Sequence, residues 1–255
     1  MHVALFTECY HPIRNGIVAS VDALRDGLHA HGVDVTTIAP KFPHLRDEPS
    51  DIVRIPSLPL PTSTAYRLCV PYLKLHDRRR LRGVDLVHAH SAFVTGWMAH
   101  AFARRHGVPL VFTYHTRLDA YAHYAPFDPV ATQRAMSELT RRYGNAADAV
   151  VVPTRAIERA LRELGVHAPI HVVPSAIDVA RFAAGHRTPA ARVRLGASAA
   201  DRVVLSVGRL GAEKNLELAL DALAHAPALR LAFVGEGPQR AALEARAERL
   251  GVAAR

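Results

Sequence analysis

Arg209 and Lys214 flank a short glycine-containing stretch in VGRLGAEKNLELAL, Val207 to Leu220. A forked guanidinium and a point-charge ammonium are the side chains that hold phosphate oxygens. The pattern predicts the end of a strand, a tight turn, and a helix running from Lys214 to His225. A lysine in a first helical turn works against the positive end of the helix dipole. A diphosphate bound there would reverse the conflict, because helix N–H groups, Arg and Lys all favour negative charge. A solvated lysine with Arg209 paired to Glu213 accounts for the same spacing. GEGPQRAAL, Gly235 to Leu243, follows the next strand and offers G-x-G before a helix without a third glycine.

Two loops in the first half of the chain also carry chemistry. In TECYHPIRNGIVAS, Asn15-Gly16 stands at a helix start, where glycine allows close backbone approach and free N–H groups can meet an anion. A turn glycine serving only the chain path is the plainer alternative. In TYHTRLDAYAHY, His115 falls just past a strand end, where an imidazole can donate to an oxyanion or a sugar hydroxyl. His88 and His90 of DLVHAHS are two apart on a strand and so share a face. That spacing suits a metal only with a third ligand. None is evident, so packing and hydrogen bonding are expected there.

These loops need a scaffold. Short apolar runs at Val3–Thr7, Asp34–Ala39, Asp51–Ile55, Asp85–Ala89, Pro109–Thr113 and Asp148–Val152 alternate with helical patterns at Ile17–His31, Val94–His106, Pro129–Ala147 and Thr154–Leu164. Such alternation predicts a doubly wound α/β sheet with helices on both faces. The rhythm halts after Ile170–Val173 and restarts at Val203. The expectation is a complete domain over 1–173 and a partial one over 174–255, with two βα units in the second.

Net charge is +9, from 32 Lys and Arg against 23 Asp and Glu. Lys41, Lys74 and Lys214 are the only lysines, so an Arg- and Ala-rich composition bias explains the total as well as a ligand does. The basic stretch YLKLHDRRRLRG places Lys74, Arg78 and Arg82 on one helical stripe, with Arg79 beside it. It suits an anionic membrane surface and equally a solvated face. No aromatic and basic RNA motif accompanies the charge, so nucleic acid is not expected. No apolar run reaches membrane-spanning length. The opening MHVALFTECYHP lacks the marks of a secretion signal, and two cysteines, Cys9 and Cys69, suit a reducing cytosol.

Taken in order, FTECYHPIRNGIVASVDALRDGLHAHGVDV, DLVHAHSAF, TYHTRLDAYAHY, ADAVVVPTRAI, VVPSAID and VGRLGAEKN resemble family 4 glycosyltransferases of the GT-B fold. Within that family they are most similar to bacterial lipid-directed hexosyltransferases of the diacylglycerol glucosyltransferase and phosphatidylinositol mannosyltransferase types. The resemblance implies two Rossmann-like domains facing a cleft, with the acceptor on the first and a UDP- or GDP-sugar on the second. It implies that Arg209 and Lys214 hold the donor diphosphate, that the backbone at Gly16 approaches the same phosphates, and that His115 lies near the transferred sugar. It implies retaining hexosyl transfer to a lipid or glycan acceptor by front-side attack, with neither cofactor nor metal. The sequence contains no D-x-D triad. With the cysteine count and the basic stretch, the expectation is a cytoplasmic protein, peripheral on the inner face of the membrane. Two departures stand out. PSAID carries Ala176 where the family usually has glycine, and the chain ends before the family's downstream glutamate pair. An incomplete enzyme, or a non-catalytic acceptor- or phosphate-binding remnant of one, is the expectation. Sugar-nucleotide epimerases share the architecture, but these loops do not match them.

Overall fold

A computed structural model describes residues 1–43, 45, 49–60, 63–115, 117, 127–186 and 188–255. The chain divides into two compact units, Met1–Ile177 and Asp178–Arg255, just past the Pro174 boundary read from the sequence.

The first unit is built on a seven-stranded parallel sheet. Its strands are β1 (His2–Phe6), β2 (Asp34–Pro40), β3 (Ile52–Ile55), β6 (Leu86–Ala89), β7 (Leu110–Thr113), β8 (Ala149–Val152) and β9 (Ile170–Val172). A separate antiparallel hairpin joins β4 (Ser57–Leu60) to β5 (Ser63–Cys69). The sheet order is β3-β2-β1-β6-β7-β8-β9. The chain therefore winds outward from β1 in one direction, then returns beside β1 and winds in the other. The topological switch lies between β1 and β6, where doubly wound sheets form a crevice at the strand carboxyl ends.

Strand alternation decides how the core is shared. On β1, Val3 and Leu5 belong to one apolar cluster, and Ala4 and Phe6 to the other. The first cluster takes the inner face of α1 (Gly16–Ala30), whose Ile17, Val18, Val21, Leu24 and Leu28 recur at helical spacing. The second takes α3 (Val94–His106), α4 (Pro129–Ala146) and α5 (Arg155–Glu163) through Ala99, Ala103, Tyr143 and Leu161. Tyr143 is fully buried and donates its hydroxyl to the Gly96 carbonyl at 2.7 Å. Its ring meets Phe112 edge-on at 4.8 Å. This contact ties α4 and α3 to β7 and fixes the floor beneath the strand ends.

The second unit contains α6 (Val179–Ala183), α7 (Pro189–Arg194), β10 (Arg202–Val207), α8 (Glu217–Ala224), β11 (Leu229–Val234) and α9 (Arg240–Arg249). β10 and β11 pair in parallel over their full length. Leu210, Leu220, Leu223, Leu243 and Val252 form the apolar core of this unit. Arg246 on α9 forks onto the Asp221 carboxylate of α8 at 2.6 and 2.7 Å.

Two sequence expectations are corrected. The helix placed from Lys214 instead begins at Glu217. Lys214 ends a separate 3-10 turn, Ala212–Lys214, and Asn215 at φ 48° interrupts the chain before α8. A left-handed Asn terminates helical winding, so Lys214 occupies no first turn of α8. The basic helix also shrinks. α2 spans Leu75–Arg80, with Lys74 as its N-cap and Arg82 beyond its end. The stripe of Lys74, Arg78 and Arg82 is thus not one helical face, although these residues and Arg79 are all exposed.

Candidate functional site

The switch point of the first unit gathers the loops after β1, β6 and β7. His88 lies on β6 and His90 one residue past its end, so both rings project from the same face. Their centroids are 4.4 Å apart with planes 22° from parallel. His115 extends the stack, 5.1 Å from His90 and tilted 23°. His90 Nδ1 lies 2.8 Å from His115 Nε2, and His88 Nε2 lies 2.7 Å from Thr113 Oγ1. Stacked rings do not aim their lone pairs at one point. Among the described residues no three His, Cys, Asp or Glu side chains are grouped to hold a metal ion.

Burial sets the charge of this stack. Desolvation pushes the His115 imidazolium down to about 4. Desolvation, with His115 nearby, takes His88 to about 3. His90 falls well below its ordinary value for the same reason, with both neighbours adding to it. All three rings are therefore neutral at pH 7, suited to hydrogen bonding rather than to stabilising charge.

The loop after β1 braces the crevice. Glu8 Oε2 accepts from Ser91 Oγ at 3.1 Å, from the Thr95 amide at 3.1 Å and from Thr95 Oγ1 at 3.0 Å. Phe93, the N-cap of α3, gives no side-chain cap. Glu8 supplies that cap from a distant loop and places negative charge at the positive helix end. Asn15 caps α1, accepting from the Val18 amide at 3.0 Å, while its Nδ2 reaches Cys9 Sγ at 2.9 Å and Tyr66 Oη at 3.3 Å. Gly16 follows as the first residue of α1. Among the described residues, a Cβ built there would meet no atom within 4 Å apart from its chain neighbours and α1's own backbone, and its φ is not in the left-handed region. Among the described residues, no packing from outside α1's own backbone therefore demands glycine at 16.

A cavity of about 420 Å³ opens beside the histidines, with Ile17, Tyr66, Leu68, Phe93 and Tyr114 among its walls and His90 and His115 at its edge. That is within the size range of small-molecule sites. Of the segment after His115, residues 116 and 118–124 lie outside the described residues.

The second unit positions the Arg209 loop by backbone packing. The loop after β10 lies on the loop after β11: Leu210 N–H donates to Glu236 O at 2.9 Å, and Gln239 N–H to Leu210 O at 3.0 Å. Gly235 has φ +156°, and a Cβ on it would fall 1.8 Å from Gly208 O. A Cβ on Gly237 would fall 2.3 Å from Leu210 O. Only glycine permits this approach. Leu210 is 7% exposed and anchors the loop, while Arg209 and Lys214 on either side of it are exposed. The G-x-G of GEGPQ, a weak nucleotide signal by itself, is thus what seats the Arg209 loop.

Of the residues singled out from sequence, Gly16 and His115 lie in the first unit, and Arg209 and Lys214 in the second. Within the first unit, sequence reasoning did not foresee the roles of Glu8 and Asn15 or the His90–His115 contact. Asn15 carried a readable signal, an Asn directly before a helical pattern.

Comparison with known proteins follows the same two-part division. The chain matches the profile described as Glycosyltransferase Family 4 over residues 14–181, and that described as Glycosyl transferases group 1 over residues 188–255. An alpha-monoglucosyldiacylglycerol synthase of Acholeplasma laidlawii is 29% identical over 262 residues, covering 96% of this chain and 65% of that protein. A GDP-mannose-dependent alpha-mannosyltransferase of Mycobacterium tuberculosis (strain CDC 1551 / Oshkosh) is 32% identical over 252 residues, with 96% and 65% covered. The sucrose-phosphate synthase structure from Thermosynechococcus elongatus superposes with a TM-score of 0.69 at 20% identity, covering 98% of this chain and 68% of that one. At such identity the likeness carries the fold alone. The chain spans 65% and 59% of the length of two alpha-monoglucosyldiacylglycerol synthases it matches.

Proposed function

The chain belongs to glycosyltransferase family 4, and from that membership we propose that the protein moves a hexose from a nucleotide-diphosphate sugar to a lipid or glycan acceptor with retention of configuration. Its fold is of the GT-B type. In the second unit, Arg209 and Lys214 hold the donor diphosphate and stabilise the charge that develops as the nucleotide leaves. In the first unit, the backbone at Gly16 meets phosphate oxygens at the start of α1. His115 donates a hydrogen bond to the sugar being transferred. The acceptor hydroxyl attacks from the face the nucleotide leaves, and a donor phosphate oxygen takes its proton. No side chain serves as nucleophile, and neither a metal nor a cofactor enters.

One observation carries this reading: the glycine-dependent contact between the loops after β10 and β11, which seats the exposed Arg209 at the strand carboxyl ends, with Lys214 exposed at the end of the following 3-10 turn. Gly16 adds support, since its open surroundings suit a backbone kept clear for a ligand. The lipid acceptor is supported by the name of a relative that makes monoglucosyldiacylglycerol, and the nucleotide-sugar donor by that of a relative dependent on GDP-mannose.

Among the described residues no helix is long and apolar enough to cross a membrane. Exposed Lys74, Arg78, Arg79 and Arg82 stand near exposed Tyr72 and Leu75, 53% and 70% accessible. This mixture suits contact with anionic headgroups at a cytoplasmic membrane face. The test is transfer of labelled hexose from UDP- and GDP-sugars by the full-length protein, with the product anomer read by NMR. Retained configuration is expected. An inverted product contradicts the mechanism. No turnover with any common donor, alongside intact lipid binding, points to a non-catalytic acceptor-binding protein.

A further inference from the structure

The contact between His90 and His115 specifies more than packing. The two rings meet through one pair of nitrogens, His90 Nδ1 and His115 Nε2, 2.8 Å apart. Between two neutral imidazoles such a contact holds one proton, so one ring donates and the other accepts. Which one donates decides what His115 offers to a ligand.

The surroundings of His90 discriminate. Its other nitrogen, Nε2, is buried with no hydrogen-bond partner among the described residues. If His115 donated, the single proton of His90 would sit on that Nε2, as a stranded N–H. If His90 donates, Nε2 carries only an unused lone pair. Buried N–H groups without acceptors are the rarer defect in folded proteins, as surveys of backbone groups find. The second arrangement is favoured.

The His90 ring cannot readily turn to escape this choice. The residue is 5% exposed, and its amide donates to Phe6 O at 2.8 Å. Its ring lies between His88 and His115, and His88 is itself tied to Thr113 Oγ1.

We propose that His90 is a positioning residue: its Nδ1–H donates to His115 Nε2 and fixes His115 as the tautomer with its proton on Nδ1. His115 borders the cavity beside the strand ends. With Nε2 engaged, Nδ1 is the nitrogen left for substrate, and it is a donor. His115 then hydrogen-bonds a sugar oxygen and is not available as a proton-accepting base through that atom. The functional consequence rests on the reading of His115 given above; the tautomer does not.

Nitrogen-15 NMR of the imidazole rings tests the tautomer directly, with the rings of His90 and His115 assigned by through-bond correlation to their own backbone amides. At pH 7 both rings are expected to show a protonated Nδ1 and an unprotonated Nε2. A proton on His115 Nε2 in the wild-type protein overturns the proposal, and this arm requires no variant to fold. His90→Leu should release His115 to a mixture of tautomers, whereas His90→Asn, whose amide N–H can reach the place of Nδ1, should preserve the wild-type pattern. An unaltered His115 tautomer in His90→Leu overturns the proposal as well. In the full-length enzyme, His90→Leu should lower kcat by about tenfold, the value of one well-placed hydrogen bond of about 1.4 kcal/mol, and His90→Asn should restore most of it. Full activity in His115→Ala would instead remove the functional reading, while the NMR result still decides the role of His90.

Discussion

Acidification should destabilise the first unit through its histidine stack. The unfolded chain accepts protons on these rings near the ordinary value of 6.5, whereas the folded unit holds His115 at about 4 and His88 at about 3. The sign follows from proton counting. Above pH 6.5 both states bind equally few protons and nothing is lost. Between 6.5 and the folded values the unfolded state binds more, so stability falls as pH falls, and the loss levels off below the folded values. At pH 5.0 each histidine costs about 2 kcal/mol relative to pH 7.5, roughly 4 kcal/mol for the pair. His90 adds in the same direction. Set against a typical domain stability of about 5–15 kcal/mol, that is a large share. Trp97 is the only tryptophan and lies on α3, so urea unfolding followed by its fluorescence reports on this unit. His100 lies edge-on to Trp97 at 5.5 Å, so midpoint and slope, not absolute emission, are the quantities to compare. His88→Gln retains a hydrogen-bonding group for Thr113 Oγ1 and cannot titrate. Its loss between pH 7.5 and 5.0 should be smaller than wild type by about 2 kcal/mol. Equal stability at the two pH values in the wild type, or an undiminished loss in the variant, would refute the burial argument.

Gly16→Ala should leave stability unchanged or raise it by up to about 1 kcal/mol, since alanine is the better helix former and its Cβ meets nothing; donor affinity in the full-length protein should nevertheless drop, as calorimetry would show. Gly235→Ala should part the loops after β10 and β11, lowering the melting temperature of the second unit and its nucleoside diphosphate affinity together, because its Cβ would lie 1.8 Å from Gly208 O. Changing Arg78, Arg79 and Arg82 to Ser should weaken binding to anionic vesicles by roughly a hundredfold at low salt, at about 1 kcal/mol per basic side chain; unchanged binding would make this an ordinary solvated face.

The parallel sheet was legible because its strands are short apolar runs between amphipathic helices, and that period survives in the sequence. The β4–β5 hairpin was not. Pro56, Pro59, Pro61 and Pro71 punctuate it, and its register shifts at Pro59/Leu60, so it reads as broken loop rather than strand. The start of α8 was misplaced because AEKNLELAL is helix-favouring throughout. Only Asn215, left-handed, and Leu216 separate the turn from the helix, and Asn is compatible with both. The shared face of His88 and His90 followed from strand alternation. Their meeting with His115 required knowing that β6 and β7 pair in parallel with Ala89 opposite Phe112. Glu8 capping a helix 87 residues away leaves no local trace at all. The cations Arg209 and Lys214 could be picked out by type and spacing, but the support of the Arg209 loop from Gly235 and Gly237 is a contact between loops from two different strands.

The central claim is that the Arg209 and Lys214 side chains hold a diphosphate. Calorimetric titration of UDP and GDP into the full-length protein and its Arg209→Ala and Lys214→Ala variants tests it most directly. Each variant should keep the wild-type melting temperature and lose about 1.5–3 kcal/mol of affinity for the preferred nucleotide, the worth of a charge-assisted hydrogen bond. Wild-type affinity in both variants would contradict the claim.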